Sequence, residues 1–320
     1  MALSSSFKVA LVQTWPKPLA PEENFNYAAD QIRKAASEGI SLAVLPEYHL
    51  TGWVPEEPGF ALTPAQAQDY LKRYQDLAAT LHINICAGTI VLHAWDAVEG
   101  KQPPFINTSY FIDHNGDVLG DYTKTNLWIP ERPHLTSNVD YARQTERDNT
   151  PYKPHQIIDT PLGRVGILVC WDIAFPEAFR QLVLAGAKII IIPSFWTLQD
   201  MGSEGREHNP ECEKLFVQST LITRAFESTA ALIFCNAGGP AEQGFFGCSQ
   251  VTMPIVGRID GSFTDGREET RVLEVDMNLV DIAERNYKIR QDLGKDDWHY
   301  GYVKAQKGAS IGDDEAIPKP

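Results

Sequence analysis

The sequence predicts an α/β fold arranged as a four-layer α-β-β-α sandwich with two mixed sheets. Three features of the chain lead to this prediction. Short apolar segments alternate with amphipathic ones, one pair of apolar segments flanks a hairpin turn, and the second half repeats the alternation of the first. Apolar strands that alternate with amphipathic helices imply sheets covered by helices. Two similar halves then favour two such layers packed sheet against sheet.

The first half of the chain predicts two helices, at 22–38 and 63–81. The second opens with Thr63-Pro64, a good start because proline at the first helical position loses no hydrogen bond. Asn115-Gly116 favours the positive φ angles of a tight hairpin, so the strands on either side are antiparallel and the sheet is mixed. Apolar, β-rich segments predict strands at 7–14, 42–46, 83–91, 107–113 and 118–124.

The second half repeats this alternation, and no linker of low complexity separates it from the first. Helices are predicted at 176–185 and 211–229. Strands are predicted at 165–170, 188–193, 231–236, 248–254 and 271–275. We therefore expect one domain over residues 1–285. The remainder, residues 286–320, ends in a polar and acidic segment, and we expect a C-terminal tail that is loose or docks at a subunit interface.

Charge and hydropathy exclude two classes of partner. The net charge is -14 and no basic block is present, which argues against nucleic acid because neutralising phosphates needs clustered positive charge. The longest apolar run, around 189–193, is far too short to span a bilayer, and residues 1–6 lack a charged-then-apolar signal pattern. We expect a cytoplasmic protein that binds neither nucleic acid nor membrane.

The sequence also gives no reason to expect a metal or an organic cofactor. Its cysteines form no closely spaced pair, which argues against a local zinc site and a dense disulfide framework. No predicted strand is followed by the Gly-x-Gly-x-x-Gly turn of a dinucleotide site.

The most informative segment is Gly166-Ile-Leu-Val-Cys170-Trp-Asp-Ile-Ala-Phe-Pro176-Glu177. An apolar strand ends on a cysteine and a Pro-Glu helix start follows, so the turn can expose the side chain above the sheet edge. The nearby helix N-terminus would favour the thiolate, which is the reactive form. The alternative is a buried core cysteine, a common environment for this residue type.

A nucleophilic cysteine needs a base and a group that stabilises an oxyanion. Leu45-Pro46-Glu47 places a carboxylate at the end of an apolar strand, where desolvation would raise its pKa towards that of a working base. Tyr122-Thr-Lys124 ends another strand on a cation that is suited to an oxyanion. The alternative for each residue is a solvent-facing position at a strand end.

Pro46-Glu47, Lys124 and Cys170-Trp171-Asp172 resemble, in this order, the Glu-Lys-Cys triad of the nitrilase superfamily, also called carbon–nitrogen hydrolases. The resemblance extends over nearly the whole chain. It includes Phe175-Pro176-Glu177 after the cysteine and Gly247-Cys248-Ser249 at a late strand.

The resemblance implies an α-β-β-α sandwich and a covalent thioester that water resolves after ammonia or an amine departs. Glu47 would be the general base, Lys124 the oxyanion stabiliser and Cys170 the nucleophile. A second glutamate often follows the lysine in this family, and Glu131 fits that position; a solvent-facing loop residue is the alternative. Assembly as a homodimer or a larger homo-oligomer is also implied.

The expected activity is hydrolysis of a non-peptide C–N bond in a small amide-like substrate. Asp172 resembles the amidase branches, since nitrilases tend to carry glutamate directly after Cys-Trp, whereas Glu131-Arg132 resembles the nitrilase loop. A nitrile or an N-carbamoyl substrate therefore stays open. Aromatic residues beside the motif ends are expected to form an apolar substrate pocket, unless they belong to the core: Trp53, Trp128, Trp171, Phe195 and Trp196.

Two rival hypotheses remain at this point. A Cys-His hydrolase would use His134 or His155 as the base and needs that histidine near Cys170. A protein of the same fold could instead be a catalytically inactive binding or scaffold protein.

Overall fold

The computed structural model describes residues 6–95, 103–144 and 155–300 of the 320-residue chain. The strands of the first half are β1 (Ser6–Gln13), β2 (Leu42–Val44), β3 (Asn84–Cys86), β4 (Ile90–His93), β5 (Phe105–Ile112) and β6 (Val118–Thr123). Those of the second half are β7 (Ile157–Thr160), β8 (Gly163–Ile167), β9 (Ile189–Ser194), β10 (Ala231–Asn236), β11 (Gln250–Met253), β12 (Gly257–Arg258) and β13 (Glu269–Asp276).

The helices lie between these strands or after them. They are α1 (Pro21–Ala36), α2 (Pro64–Leu81), α3 (Asn138–Gln144), α4 (Pro176–Leu184), α5 (Ser203–His208), α6 (Cys212–Ser228), α7 (Met277–Tyr287) and α8 (Ile289–Leu293). Helix α2 begins as its sequence predicts: the Thr63 side chain accepts a hydrogen bond from the Gln66 N–H, and the Gln66 side chain accepts one from the Thr63 N–H. No helix in the described part of the chain is long and apolar enough to cross a membrane.

Two mixed sheets form the centre of the fold. The first has the order β13-β1-β2-β3-β5-β4, with β6 paired to β5, and the second has the order β12-β11-β10-β9-β8-β7. Strands β1, β2 and β3 are parallel to one another, while β13 and β5 are antiparallel to their neighbours. In the second sheet, β8, β9 and β10 are parallel and the outer pairs are antiparallel.

The alternation of side chains along β1 shows how the layers stack. Val9 and Leu11 belong to a core that also contains residues of the second sheet, such as Ile190. Ala10 and Val12 point the other way, into a separate core with α1 and α2. The two sheets therefore pack face to face, with helices outside them. The predicted fold class is confirmed.

The predicted strand at 83–91 is two strands, β3 and β4, because the chain turns sharply between them. Gly88 has a φ of +55°, and a Cβ there would lie 2.1 Å from the carbonyl oxygen of Pro46 and 2.8 Å from His49 Nδ1. Only glycine fits so close to the segment that carries Glu47. The local pattern of apolar residues gave no sign of this contact.

The segment after β13 packs on the body of the same chain as far as Leu293, and residues 294–300 are exposed. Helix α8 contacts α4 and α6, and Leu293 is buried. The Arg290 side chain donates hydrogen bonds to the Ser228 and Thr229 carbonyls, each at 3.1 Å, which satisfies carbonyls at the end of α6. The polar and acidic segment expected for the tail, 308–320, lies outside the described residues.

Gly88→Ala is expected to destabilise the fold, because the new methyl group meets a backbone oxygen that cannot move without displacing Glu47. Gly39→Ala is the matched control, since Gly39 also has a positive φ, of +75°, but open space around it. We expect Gly88→Ala to lower the free energy of unfolding in urea by at least about 2 kcal/mol more than the control. Equal losses in the two variants would contradict the close approach.

Candidate active site

Cys170 lies on a sharp turn beyond the end of β8. The Leu168 N–H still bonds to the Ile191 carbonyl at 3.0 Å, so the chain follows β9 past the last residue of the strand. Cys170 itself has a φ of +47° and begins a short 3₁₀ turn, Cys170–Ala174. A positive φ at a residue other than glycine costs free energy and often marks a functional site. The predicted strand at 165–170 is therefore too long at its end, since β8 stops at Ile167.

The Asp172 carboxylate, which is fully buried, fixes this turn. One oxygen accepts hydrogen bonds from the Val169 N–H and the Tyr122 hydroxyl, both at 2.8 Å. The other accepts from the Asn126 backbone N–H at 3.0 Å and from its side-chain amide at 2.8 Å. Because Tyr122 and Asn126 flank Lys124, Asp172 ties the cysteine turn of one sheet to the lysine segment of the other.

Lys124 is 1% exposed and lies between two carboxylates. Its Nζ is 2.9 Å from Glu47 Oε1 and 2.6 Å from Glu131 Oε1. Burial acts to lower the pKa of Lys124, but the charges of Glu131 and Glu47 outweigh it and hold that pKa well above its ordinary value. Two of the three ammonium protons are thus engaged within the described residues, and the third donor is left for another acceptor.

Glu47 follows β2 and is fully buried. Besides Lys124, its Oε1 accepts a hydrogen bond from the Asn107 amide at 2.8 Å, and its Oε2 accepts one from the Phe195 N–H at 3.1 Å. Burial raises the pKa of Glu47 to about 7, although Lys124 opposes the shift. At neutral pH this carboxyl group exchanges readily between its charged and neutral forms, as a general base must.

Glu131 lies in a 3₁₀ turn, Ile129–Glu131, and is also buried. Its Oε2 accepts a hydrogen bond from the Trp128 N–H at 2.7 Å. Its Oε1 accepts a short one from the Tyr48 hydroxyl in addition to that from Lys124. These contacts fix the carboxylate against Lys124, and so orient the ammonium group.

The Cys170 thiol lies near these three charged groups. Phe195 links it to Glu47: the Phe195 carbonyl oxygen is 3.8 Å from Cys170 Sγ, and the Phe195 N–H donates a hydrogen bond to Glu47 Oε2. Burial first, and then the charge of Glu47, raise the pKa of Cys170 well above its ordinary value. The resting group is therefore a neutral thiol. This differs from the expected thiolate, because burial and the adjacent carboxylate outweigh the influence of a helix that begins six residues later.

The aromatic residues expected around the substrate occupy two groups of rings. Trp53 and Phe195 pack against Tyr48, with ring centroids 5.1 and 5.9 Å away. Trp171 and Trp196 are 5.7 Å apart, but Trp196 is only 2% exposed and its indole N–H bonds to Glu213 at 2.6 Å. Trp128 is half-buried and adjoins the site through its backbone contact with Glu131.

Neither histidine of the rival Cys-His hypothesis takes the place of Glu47. His134 Nε2 lies 3.4 Å from the exposed Glu56, and the buried His155 stacks on Tyr122 with centroids 5.7 Å apart. The charged group with the largest influence on the thiol is the Glu47 carboxylate. Over residues 6–95, 103–144 and 155–300, no set of three or more His, Cys, Asp or Glu side chains is arranged to hold a metal ion.

Sequence reasoning missed three polar residues around the triad. Tyr48 and Asn107 hydrogen-bond to Glu131 and Glu47, and Ser194 contributes a buried hydroxyl beside Cys170. A signal existed for Tyr48, which directly follows the proposed base, and for Ser194, which ends an apolar strand as Glu47 and Lys124 do.

The sequence model of a family described as carbon-nitrogen hydrolase matches residues 8–285. A relative from Schizosaccharomyces pombe, named as a probable nitrilase, is 26% identical over 289 residues, which are 87% of this chain and 92% of that protein.

Solved structures show the same fold. A carbon-nitrogen hydrolase from Helicobacter pylori G27 superposes with a TM-score of 0.72 at 19% identity, over 90% of this chain and 95% of that one. A mutant amidase from Nesterenkonia sp. AN1 superposes with a TM-score of 0.65 at 21% identity, over 89% and 96%. That amidase carries the acetamide moiety of fluoroacetamide covalently added at its active-site cysteine.

Asp172→Asn is expected to lower the free energy of unfolding by about 2–4 kcal/mol, because an amide nitrogen would face donors that need an acceptor. Asp159→Asn is the matched control; its exposed ion pair with Arg164 contributes less than about 0.5 kcal/mol. Urea unfolding of both variants measures the difference. A loss for Asp172→Asn as small as that of the control would contradict its role in fixing the cysteine turn.

Proposed function

The chain belongs to the carbon-nitrogen hydrolase family, and from this premise we propose that it hydrolyses a small amide through Cys170. The proposal rests chiefly on one arrangement. A buried ammonium group lies between two buried carboxylates, and one of these is linked through the Phe195 backbone to a cysteine thiol on a strained turn. Nucleophile, base and oxyanion stabiliser are thus adjacent, as covalent hydrolysis requires.

In the proposed acylation step, Glu47 takes the thiol proton as the Cys170 sulfur attacks the substrate carbonyl carbon. The carbonyl π electrons move to oxygen, and the free N–H of Lys124 donates a hydrogen bond to that oxyanion. When the tetrahedral intermediate collapses, the C–N bond breaks. The proton on Glu47 passes to the leaving nitrogen, so ammonia or an amine departs and a thioester remains.

Deacylation in this proposal uses the same groups. Glu47, charged again, takes a proton from a water molecule that attacks the thioester carbonyl, and Lys124 again stabilises the oxyanion. The C–S bond then breaks, the sulfur regains a proton from Glu47, and a carboxylic acid leaves. We assign Glu131 a positioning role, because it touches Lys124 rather than the reacting atoms.

The proposed substrate is a small amide with an apolar part. Half-buried aromatic rings near the thiol, including Trp53, Trp171 and Phe195, suit a carbon chain or ring. The pair Trp171-Asp172, which directly follows Cys170 in the sequence, favours an amide substrate over a nitrile. The amidase from Nesterenkonia with its modified active-site cysteine supports the same chemistry for this chain.

We also propose that residues 1–285 form the hydrolase domain of a cytoplasmic homodimer. The free state of every cysteine suits a reducing compartment. Leu184 on α4 and Leu215 and Ile222 on α6 are 57%, 58% and 40% exposed, and these helices cover the sheet that carries Cys170. Apolar side chains on adjacent helices are suited to a contact between two copies.

Ammonia release from a panel of aliphatic amides, aromatic amides, ω-amides, N-carbamoyl compounds and nitriles tests the proposal. We expect turnover of at least one amide, and a loss of at least about a thousandfold in Cys170→Ala because no other group can form the thioester. Cys212→Ala is the matched control, since Cys212 is a free thiol at the start of α6. Undiminished turnover by Cys170→Ala would disprove the mechanism.

The activity should also depend on pH through Glu47. This group must be charged to accept a proton, and its pKa is about 7, so its active form is lost as the pH falls below that value. We expect kcat/KM to be about a hundredfold lower at pH 5 than at pH 8. Glu47→Gln should be inactive across this range, while Glu57→Gln, an exposed neighbour, should follow the wild type. A flat wild-type profile would rule out this base.

A further inference from the structure

Ser194 ends β9 at the point where both sheets meet the active site. Its backbone carbonyl accepts hydrogen bonds from the Glu47 N–H at 3.3 Å and from the Ala237 N–H at 3.0 Å. The next residue, Phe195, donates its N–H to Glu47 and directs its carbonyl towards Cys170. Ser194 is therefore held between the base and the nucleophile by contacts with both sheets.

The Ser194 hydroxyl is fully buried, and across the described residues it has no hydrogen-bond partner of normal geometry. A buried hydroxyl without a partner costs free energy and calls for an explanation. The Cys170 thiol lies close to this position, since its Sγ is 3.8 Å from the carbonyl oxygen of the next residue, Phe195. Burial and Glu47 raise the pKa of that thiol, whereas Lys124 and the Ser194 hydroxyl act to lower it.

We propose that Ser194 is a further catalytic residue, whose hydroxyl donates a hydrogen bond to the Cys170 sulfur as negative charge develops there. This inference rests on the proposed function of Cys170. A neutral thiol sulfur is a weak acceptor, so the hydroxyl has little to bond in the resting enzyme. A sulfur that is losing its proton to Glu47 becomes a charged and much stronger acceptor.

The hydrogen bond is therefore stronger in the transition state than in the ground state, and only such differences accelerate a reaction. The fixed backbone of Ser194 means that the hydroxyl needs no large rearrangement to respond. Its proton is not transferred. Glu47 takes the thiol proton, and the serine hydroxyl only donates to the sulfur lone pair.

Ser194→Ala tests the proposal, with Ser228→Ala as the matched control. Ser228 also has a fully buried hydroxyl without a partner in the described structure, but it lies at the end of α6. The measurement is the rate of Cys170 alkylation by iodoacetamide between pH 6 and pH 11, followed by mass spectrometry of the peptide that contains Cys170. Urea unfolding checks that both variants are folded.

We expect Ser194→Ala to be alkylated about tenfold more slowly than the wild type at pH 7, with the rising part of its profile shifted up by about one pH unit. Ser228→Ala should follow the wild type. Where the wild-type rate levels off at high pH, the rate of Ser194→Ala should approach it, because the hydroxyl affects the thiolate fraction and not access to the sulfur.

Two results would overturn the proposal. The Ser194→Ala profile could coincide with that of Ser228→Ala, or it could stay lower by the same factor after the wild-type rate has levelled off, which would indicate a packing effect. A wild-type Cys170 that resists alkylation throughout would instead contradict the proposed function itself, and the two failures are therefore distinguishable.

Discussion

The buried ammonium group of Lys124 is the constraint around which the site is organised. A charged group that is buried away from water needs a partner of opposite charge. Here Glu47 and Glu131 supply it, with carboxylate oxygens 2.9 and 2.6 Å from Lys124 Nζ. This cluster holds one positive and two negative charges when all three groups are ionised. Burial first, and then the negative charge of the neighbouring carboxylates, raise the pKa of the adjacent thiol and bring that of Glu47 to about 7. In the proposed mechanism, the Cys170 thiol becomes a nucleophile only as Glu47 accepts its proton.

Asp172 shows a different way of burying a carboxylate. Its four hydrogen bonds come from neutral backbone and side-chain donors, so both of its oxygens are engaged in holding the cysteine turn against the lysine segment. The contrast with Glu47 separates two functions of buried acids. Asp172 is held by its hydrogen bonds and fixes the geometry of the cysteine turn. Glu47, in contrast, is kept close to the balance between its charged and neutral forms.

The sequence predicted much of the fold, because strands and helices of ordinary length carry their own apolar pattern. The pattern also led to Glu47, Lys124 and Cys170, each of which follows an apolar strand. It could not lead to Asn107, whose partner Glu47 lies 60 residues away, since that contact depends on how strands pair. Strands β7 and β12 were missed for the same reason: they are short and exist through their neighbours in the sheet.

Strand β13 pairs with β1 along its whole length, from Ser6 with Asp276 to Gln13 with Glu269. Strand β1 is therefore synthesised more than 250 residues before the strand that covers its outer edge. Until then β1 presents unpaired backbone groups that can join another nascent chain. Synthesis of this protein consequently includes a long interval in which self-association competes with folding. A chain truncated before residue 269 would lack β13, so the edge of β1 would stay uncovered.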